Sequence, residues 1–261
     1  VVGLVGSEMC IRDSRWVEPK VVIDLKWIPE LAPAIVERDG VLSISASTVM
    51  TDIAEDELVQ KHFPALVEAA VVVGSVQIRA RATLAGNICN GSPAADTAPP
   101  LLVYDAVVVV VGPQGTRRVP VDDFIVGPGK TALGGGELVT AVELPIPEHP
   151  FGAAYTRLTR RRGTDLASIT LCCGVDAEGR TRLAYGSVGP RAFLEIDETG
   201  ALADADVAIE DKMGTLDRLF HRASPSPKSL RASPDYRLAM LRVLGARALE
   251  TALGRLTKEL V

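Results

Sequence analysis

Short alternating runs and longer unbroken ones divide the apolar residues of this chain. Ala34–Glu37 and Val41–Ser45 alternate around Arg38-Asp39-Gly40, and an Asp-Gly pair between two such alternations predicts a β-hairpin. Before it, Val21–Leu25 reads as a short β-rich run with Ile28–Leu31 packed beside it. Asp52, followed three residues later by Glu55, predicts a reciprocally capped helix start and a helix to about His62. Pro64 suits the first turn of the next helix, which continues through Ala65–Val73. His62, near a helix end, reads as a partner of the C-terminal dipole rather than a ligand. Further on, Leu101–Tyr104 predicts helix, and the valine run within Ala106–Val111 predicts a fully buried strand. The Gly112–Gly115 turn returns the chain into a strand at Arg117–Val121, and Leu138–Leu144 is another.

The second half has its own pattern. Ile169–Val175, a turn at Asp176–Gly179 and Arg182–Val188 predict a hairpin. Ala201–Met213 and Thr215–His221 read as helical, and Ser224–Pro234 as a Ser/Pro loop. In Tyr236–Leu256, the apolar residues Leu241, Leu244, Ala248, Leu249, Ala252 and Leu256 recur at the spacing of one buried helix face. The proline-dense Pro145–Pro150 makes a semi-rigid connection. It sets the expected division into a domain at 16–147 and another at 151–257.

Composition narrows the function. With 261 residues, 47% of them apolar and 23% charged, the chain has ample material for a core, and its net charge of −5 gives no electrostatic reason to expect nucleic acid or an anionic membrane. No apolar run approaches the ~20 residues of a membrane span. Cys10, Cys89, Cys172 and Cys173 lack metal-ligand spacing, which fits a reduced, cytoplasmic setting, and the adjacent pair reads as strand packing. His62, His149 and His221 are scattered, so neither a metal site nor a histidine-based catalytic centre is expected. The opening VVGLVGSEMCIRDSR has no basic region and no small-residue cleavage site, which excludes a secretory signal; residues 1–15 read as a non-native leader. Lys130-Thr131 follows glycines, but Gly127 and Gly129 are too close together for a phosphate loop.

The chemistry concentrates in Gln77–Ala106, QIRARATLAGNICNGSPAADTAPPLLVYDA. Small residues at Thr83, Ala85 and Gly86 let a ligand approach the backbone, and Asn87, Asn90 and Ser92 offer hydrogen bonds. Asp96 accepts bonds from hydroxyls or amides. Read on physics alone, this is a candidate nucleotide-binding loop or a plain surface loop.

The run resembles the second flavin-binding motif of the FAD-binding medium subunit of molybdenum hydroxylases, the carbon monoxide dehydrogenase and xanthine dehydrogenase family. The family pattern is Q-I-R-N-x-G-T-[IL]-G-G-N followed by S-P-x-x-D. Gln77, Ile78, Arg79, Thr83, Gly86, Asn87, Ser92, Pro93 and Asp96 match it, while Ala82 and Ala85 replace glycines. Glu137-Leu138-Val139 resembles the family's E-[IL]-[IL] strand beside the flavin. Tyr155-Thr156-Arg157-Leu158, then Arg160-Arg161-Arg162 and Asp165-Leu166-Ala167, resembles the Y-x-K-L-x-x-R…D-x-A start of its C-terminal domain, with Arg157 for the lysine that approaches the flavin. Ser233–Arg237 resembles its closing R-[AS]-S-x-x-Y-R signature. The resemblance covers nearly everything from about Trp16 onward.

What it implies is an α+β, two-domain flavoprotein. A mixed-sheet FAD-binding domain would precede a smaller C-terminal domain built on a three-stranded antiparallel sheet plus helices. Thr83, Gly86 and Asn87 would hold the pyrophosphate or ribityl part of FAD. Ser92 and Asp96 would fix the polar edge of the flavin or its ribityl hydroxyls, with Val139 and Arg157 nearby and no general acid or base. Electrons would arrive from a [2Fe–2S] small subunit, beside a molybdopterin-binding large subunit, and leave to NAD⁺, quinone or oxygen. The family's first flavin loop, A-G-G-x-[TS]-[DN], is not found before Trp16. The chain is therefore expected to be N-terminally truncated, with apolar surface uncovered around Val21–Leu25. Two other readings stay open: a self-contained flavin oxidase, for which Cys89 is the candidate covalent residue, and an assembly module that retains no FAD. The Arg160–Arg162 cluster reads as a solvated face or a subunit contact.

Overall fold

The computed structural model describes residues 23–161, 163–204 and 206–260. The α+β class holds, built on two antiparallel sheets with helices between and behind them. The expected leader at 1–15 lies outside the described residues, as does the beginning of the expected strand at Val21–Leu25. The end of that segment forms a 3-10 turn at Leu25–Trp27, because the Asp24 carboxylate accepts from the Lys26 N–H at 3.0 Å and starts a turn instead of a strand. Pro29–Leu31 is a second such turn, and Leu31 is buried. Ile23 and Trp27 stand exposed.

The first sheet takes the order β1–β2–β7–β3–β4, from Ile35–Arg38 (β1), Val41–Ser45 (β2), Val107–Gly112 (β3), Gly115–Pro120 (β4) and Leu138–Pro145 (β7). The β1–β2 turn works as the Asp-Gly pair predicts: Asp39 and Gly40 adopt φ 53° and 74°, the double left-handed turn that matches strand twist. Every described pairing in this sheet is antiparallel, so it is not mixed as expected. Leu42, Ile44, Val108, Val110, Val142 and Leu144 point into one core. Between β4 and β7, Ile125–Gly127 (β5) and Lys130–Thr131 (β6) form a small separate hairpin.

The helical layer departs from expectation at its start and at Asp56: Asp52 does not cap the first helix but lies inside it, and the N-cap residue Val49 makes no side-chain bond. The expected helix from Asp52 to His62 is broken in two, Met50–Glu55 (α1) and Glu57–His62 (α2). Asp56, extended at ψ 129°, ends the first and caps the second by accepting from Leu58 N and Val59 N, both at 3.0 Å. A side chain that reaches two N–H groups at once is the stronger cap. Pro64–Ala70 (α3), Val76–Arg79 (α4), Leu84–Cys89 (α5) and Ala98–Val103 (α6) follow, then the single turn Val121–Phe124 (α7). His62 closes α2, where the dipole reading placed it.

The second sheet has four strands rather than three, in the order β11–β10–β9–β8: Phe151–Leu158 (β8), Ile169–Asp176 (β9), Thr181–Gly186 (β10) and Phe193–Asp197 (β11). The flavin-type motif around Tyr155 is thus itself a strand. Helix α9 (Pro234–Leu260) covers one face, while α3 and α6 cover the other. Cys172 and Cys173 accordingly point into two different cores. One helix, Ile209–Leu219 (α8), replaces the two expected between 201 and 221.

Polar clamps tie the halves together. Glu68 of α3 accepts the Tyr155 N–H at 2.8 Å and a bond from Arg255 of α9, which also reaches the Ala153 carbonyl. Tyr104 lies edge-on to Phe63 at 5.0 Å and against Phe151 at 5.7 Å.

Candidate functional site

The loop singled out by sequence lies between the two sheets. Within it the short helix α5 packs on β7. Thr83 caps that helix: its Oγ1 accepts the Gly86 N–H at 3.0 Å, and the residue is only 1% exposed. The Thr83 hydroxyl oxygen therefore shapes the turn. Ala85 is buried in the first core, so the methyl that replaces a glycine there points away from the loop's surface. Ala82 offers its carbonyl to Met50 N at 2.8 Å. Both alanines pack against the first core.

Asn87 is half-buried, and its Oδ1 accepts from the Thr97 hydroxyl at 2.7 Å. That contact aims the amide, and its Nδ2 has no partner among the described residues. Ser92 accepts the Ala94 N–H at 3.2 Å and keeps its hydroxyl proton to donate. The β5–β6 hairpin backs the loop, with the Gly129 N–H on the Gly91 carbonyl at 2.9 Å.

Asp96 brings the second half in. Tyr155 OH donates to its Oδ1 at 2.6 Å, and Arg157 NH1 reaches both oxygens at 3.2 and 3.3 Å. Burial raises the Asp96 pKa from the ordinary carboxylate value, and the bonds from Tyr155 and Arg157 pull against that rise. Burial and the Asp96 charge hold the Tyr155 phenol well above its usual range, so it remains a donor. Thr83, Gly86, Asn87, Ser92, Asp96 and Arg157 thus belong to one loop and the strand that closes on it. Val139 lies on β7 beneath α5, its side chain packed in the first core, so that only its backbone faces elsewhere. Thr97, Tyr155 and the Gly91 contact were missed by residue-by-residue reading. Tyr155 had a signal, its place two residues before Arg157 in a strand.

The donor set suits a flavin dinucleotide: small residues at the helix start, a free amide, a free hydroxyl and an arginine oriented by one carboxylate. Cys89 does not suit covalent attachment, because burial pushes its thiol up to about 12 and leaves little thiolate. Among the described residues no cluster of His, Cys, Asp and Glu could hold a metal, and no helix is long and apolar enough to cross a membrane.

This two-half arrangement around a flavin-type loop defines the class, and comparison with known proteins agrees. The family model for the FAD binding domain in molybdopterin dehydrogenase matches residues 6–147, and the chain belongs to that family. It is 31% identical to the xanthine dehydrogenase FAD-binding subunit of Escherichia coli O157:H7, over 89% of this chain and 81% of that one. It is also 31% identical to the carbon monoxide dehydrogenase medium chain of Hydrogenophaga pseudoflava, over 92% and 84%. The solved carbon monoxide dehydrogenase of the same organism superposes with a TM-score of 0.86 at 29% identity, covering 97% of this chain and 89% of that one. These relatives are subunits of oxidoreductases.

Proposed function

We propose that the chain is the FAD-binding electron-transfer subunit of a cytoplasmic molybdenum hydroxylase. In this reading it takes electrons from a [2Fe–2S] subunit beside a molybdopterin-binding subunit and passes them through FAD to NAD⁺, quinone or oxygen. The observation that carries the reading is Asp96, a loop carboxylate clamped by Tyr155 and Arg157 of the other half. Bound FAD would supply the redox chemistry; the chain's residues bind it, orient it and limit water around it. Asn87 Nδ2 and the Ser92 hydroxyl donate to its polar parts, and Gly86 leaves room for close approach. Thr83 acts by capping the helix that presents them. Arg157 brings positive charge, and Val139 lends backbone from β7. We propose also that the chain divides near Pro145–Pro150 into units at 16–147 and 151–257.

The test is a visible spectrum after incubation with FAD and gel filtration. Flavin bands should travel with the protein and weaken in Asn87→Ala. Adding the reduced iron–sulfur partner should bleach them. Flavin that never co-elutes, even in the assembled complex, overturns the reading.

A further inference from the structure

One side chain outside the site is placed against three ordinary preferences at once. Arg237 is a cation in the first turn of α9, the helix end that favours negative charge. It is 3% exposed, and no carboxylate pairs with it among the described residues. Its Nε has no hydrogen-bond partner among them either. Burial, with Arg231 nearby, lowers its pKa from the usual guanidinium value. Such an arrangement costs stability, so its bonds matter.

Those bonds lead to the flavin loop. Arg237 NH1 donates to the Ser187 carbonyl at 2.9 Å, and NH2 donates to Ser229 Oγ. Ser187 adopts φ 65°, a left-handed conformation rare for a residue with a Cβ, so its surroundings must hold it there. Its hydroxyl donates to the Ala167 carbonyl at 3.0 Å, and its N–H donates to the Pro93 carbonyl at 2.7 Å. Pro93 lies between Ser92 and Asp96. The contact is close: a Cβ on the neighbouring Gly186 would lie 2.9 Å from the Pro93 oxygen and 2.6 Å from Thr170 Oγ1. Thr170 in turn pairs in register with Arg157, which holds Asp96. The loop is therefore pinned at two points, Asp96 by Arg157 and Tyr155, and Pro93 by Ser187.

We propose that Arg237 is a positioning residue for FAD, holding the Ser187 turn whose N–H fixes Pro93 and thereby presents Ser92 and Asp96. It touches no cofactor and acts through two successive hydrogen bonds. The inference rests on the reading that this loop binds FAD, but its mechanical half stands without FAD.

The experiment separates the two. Amide hydrogen exchange of the FAD-free full chain is compared between wild type, Arg237→Met and Arg237→Lys, followed by FAD titration of each. In Arg237→Met the amides of Ala94–Thr97 should exchange about tenfold faster, while those of Leu42, Ile44 and Val142 stay unchanged. FAD should then bind about tenfold more weakly, with partial rescue in Arg237→Lys, whose single ammonium can reach one of the two acceptors. If Arg237→Met does not fold, Arg237→Gln takes its place; its shorter amide gives up the two guanidinium bonds while staying polar and should release the same amides. A folded variant with wild-type exchange at Ala94–Thr97 overturns the relay. Wild-type FAD affinity in Arg237→Met, beside a weakened Asn87→Ala, overturns its cofactor half. A wild-type chain that binds no FAD sinks the functional reading instead, and the exchange data still decide the relay.

Discussion

Two arginine–carboxylate pairs, Asp96–Arg157 and Glu137–Arg117, are built from the same groups and behave as opposites. In the first, the side chains are 12% and 15% exposed and join two halves of the molecule across the flavin-type loop. In the second, Arg117 is 40% exposed, and the pair closes a glycine-rich surface turn, with Gly134 N–H also on the Glu137 carboxylate. Hydrogen bonding from Arg117, and then from Gly134, holds Glu137 down to about 2. Burial drives Asp96 the other way. Where water remains, the partner decides the sign of the shift; where water is excluded, the cost of burying charge decides it. An ion pair that costs energy to bury is poorly explained by stability, which supports the role proposed for the Asp96 pair.

The comparison breaks most sharply at Asp96. Asp96→Ala leaves the Arg157 guanidinium and the Tyr155 hydroxyl without their acceptor, each of them mostly buried. It should cost about 2 kcal/mol of folding stability and, by freeing the loop, about a hundredfold in FAD affinity. Thermal melting and fluorescence titration of FAD read the two losses. Wild-type FAD binding in this variant would remove the pair from the site.

Acid sharpens the contrast next, because the two carboxylates respond with opposite sign. Asp96 has a folded pKa above its unfolded one, so as pH falls through that raised value the native state takes up a proton first, and this group's contribution to stability rises. The protonated acid no longer pairs with Arg157, so FAD affinity should fall in the same window. Glu137 is depressed, so its contribution is present above 4.5 and lost as pH falls toward about 2. FAD titrations across mildly acidic pH should therefore show release that begins above the ordinary aspartate range. Asp96→Asn should abolish that step, whereas a step that survives in it belongs to another group.

A smaller effect is expected from Arg157→Lys. The guanidinium reaches both Asp96 oxygens from one nitrogen, so a lysine keeps the charge and can make a similar contact from its ammonium. The family pattern carries lysine at this place, so FAD affinity should change by less than about tenfold. Arg157→Met, which removes the charge, should fall much further. Equal affinity for the lysine and methionine variants would mean that charge at this position does not matter.

How much of this was legible follows from the range of the forces involved. Hairpins with their own turn chemistry, such as the one at Asp39-Gly40, were read correctly, and so were Pro64 at a helix start and the face of α9, because each is decided within a few residues. The break at Asp56 was missed because Asp52 and Glu55 read as a cap, whereas that helix starts at Met50 with no side-chain cap and Asp56, extended at ψ 129°, ends it and caps the next. The outer strands of the second sheet, Phe151–Leu158 and Phe193–Asp197, were not placed because neither carries a turn signal of its own and each is defined by pairing with the central hairpin. In the site, the loop residues were found through resemblance. The contacts that make the loop a site, from Tyr155, Thr97 and Ser187, join residues 10 to 94 positions apart, and no local pattern marks such contacts.

The smallest effect is the one expected at Glu137. Its pair with Arg117 lies at the surface, where attraction is screened and two long side chains must be held still, so Glu137→Gln should lower the melting temperature at neutral pH only slightly. FAD affinity should also be unchanged, since Glu137 spends its oxygens on Arg117 and on the Gly134 N–H. The prediction is worth making because Glu137-Leu138-Val139 opens β7, the strand proposed to lend Val139 backbone to the flavin. If Glu137→Gln weakened FAD about tenfold, the glycine turn would have to be placing that backbone, and the surface pair would count as part of the site. If FAD binding is indifferent to Glu137 yet lost with Asp96, the site ends at the loop and β8, and burial is what separates a working ion pair from a decorative one.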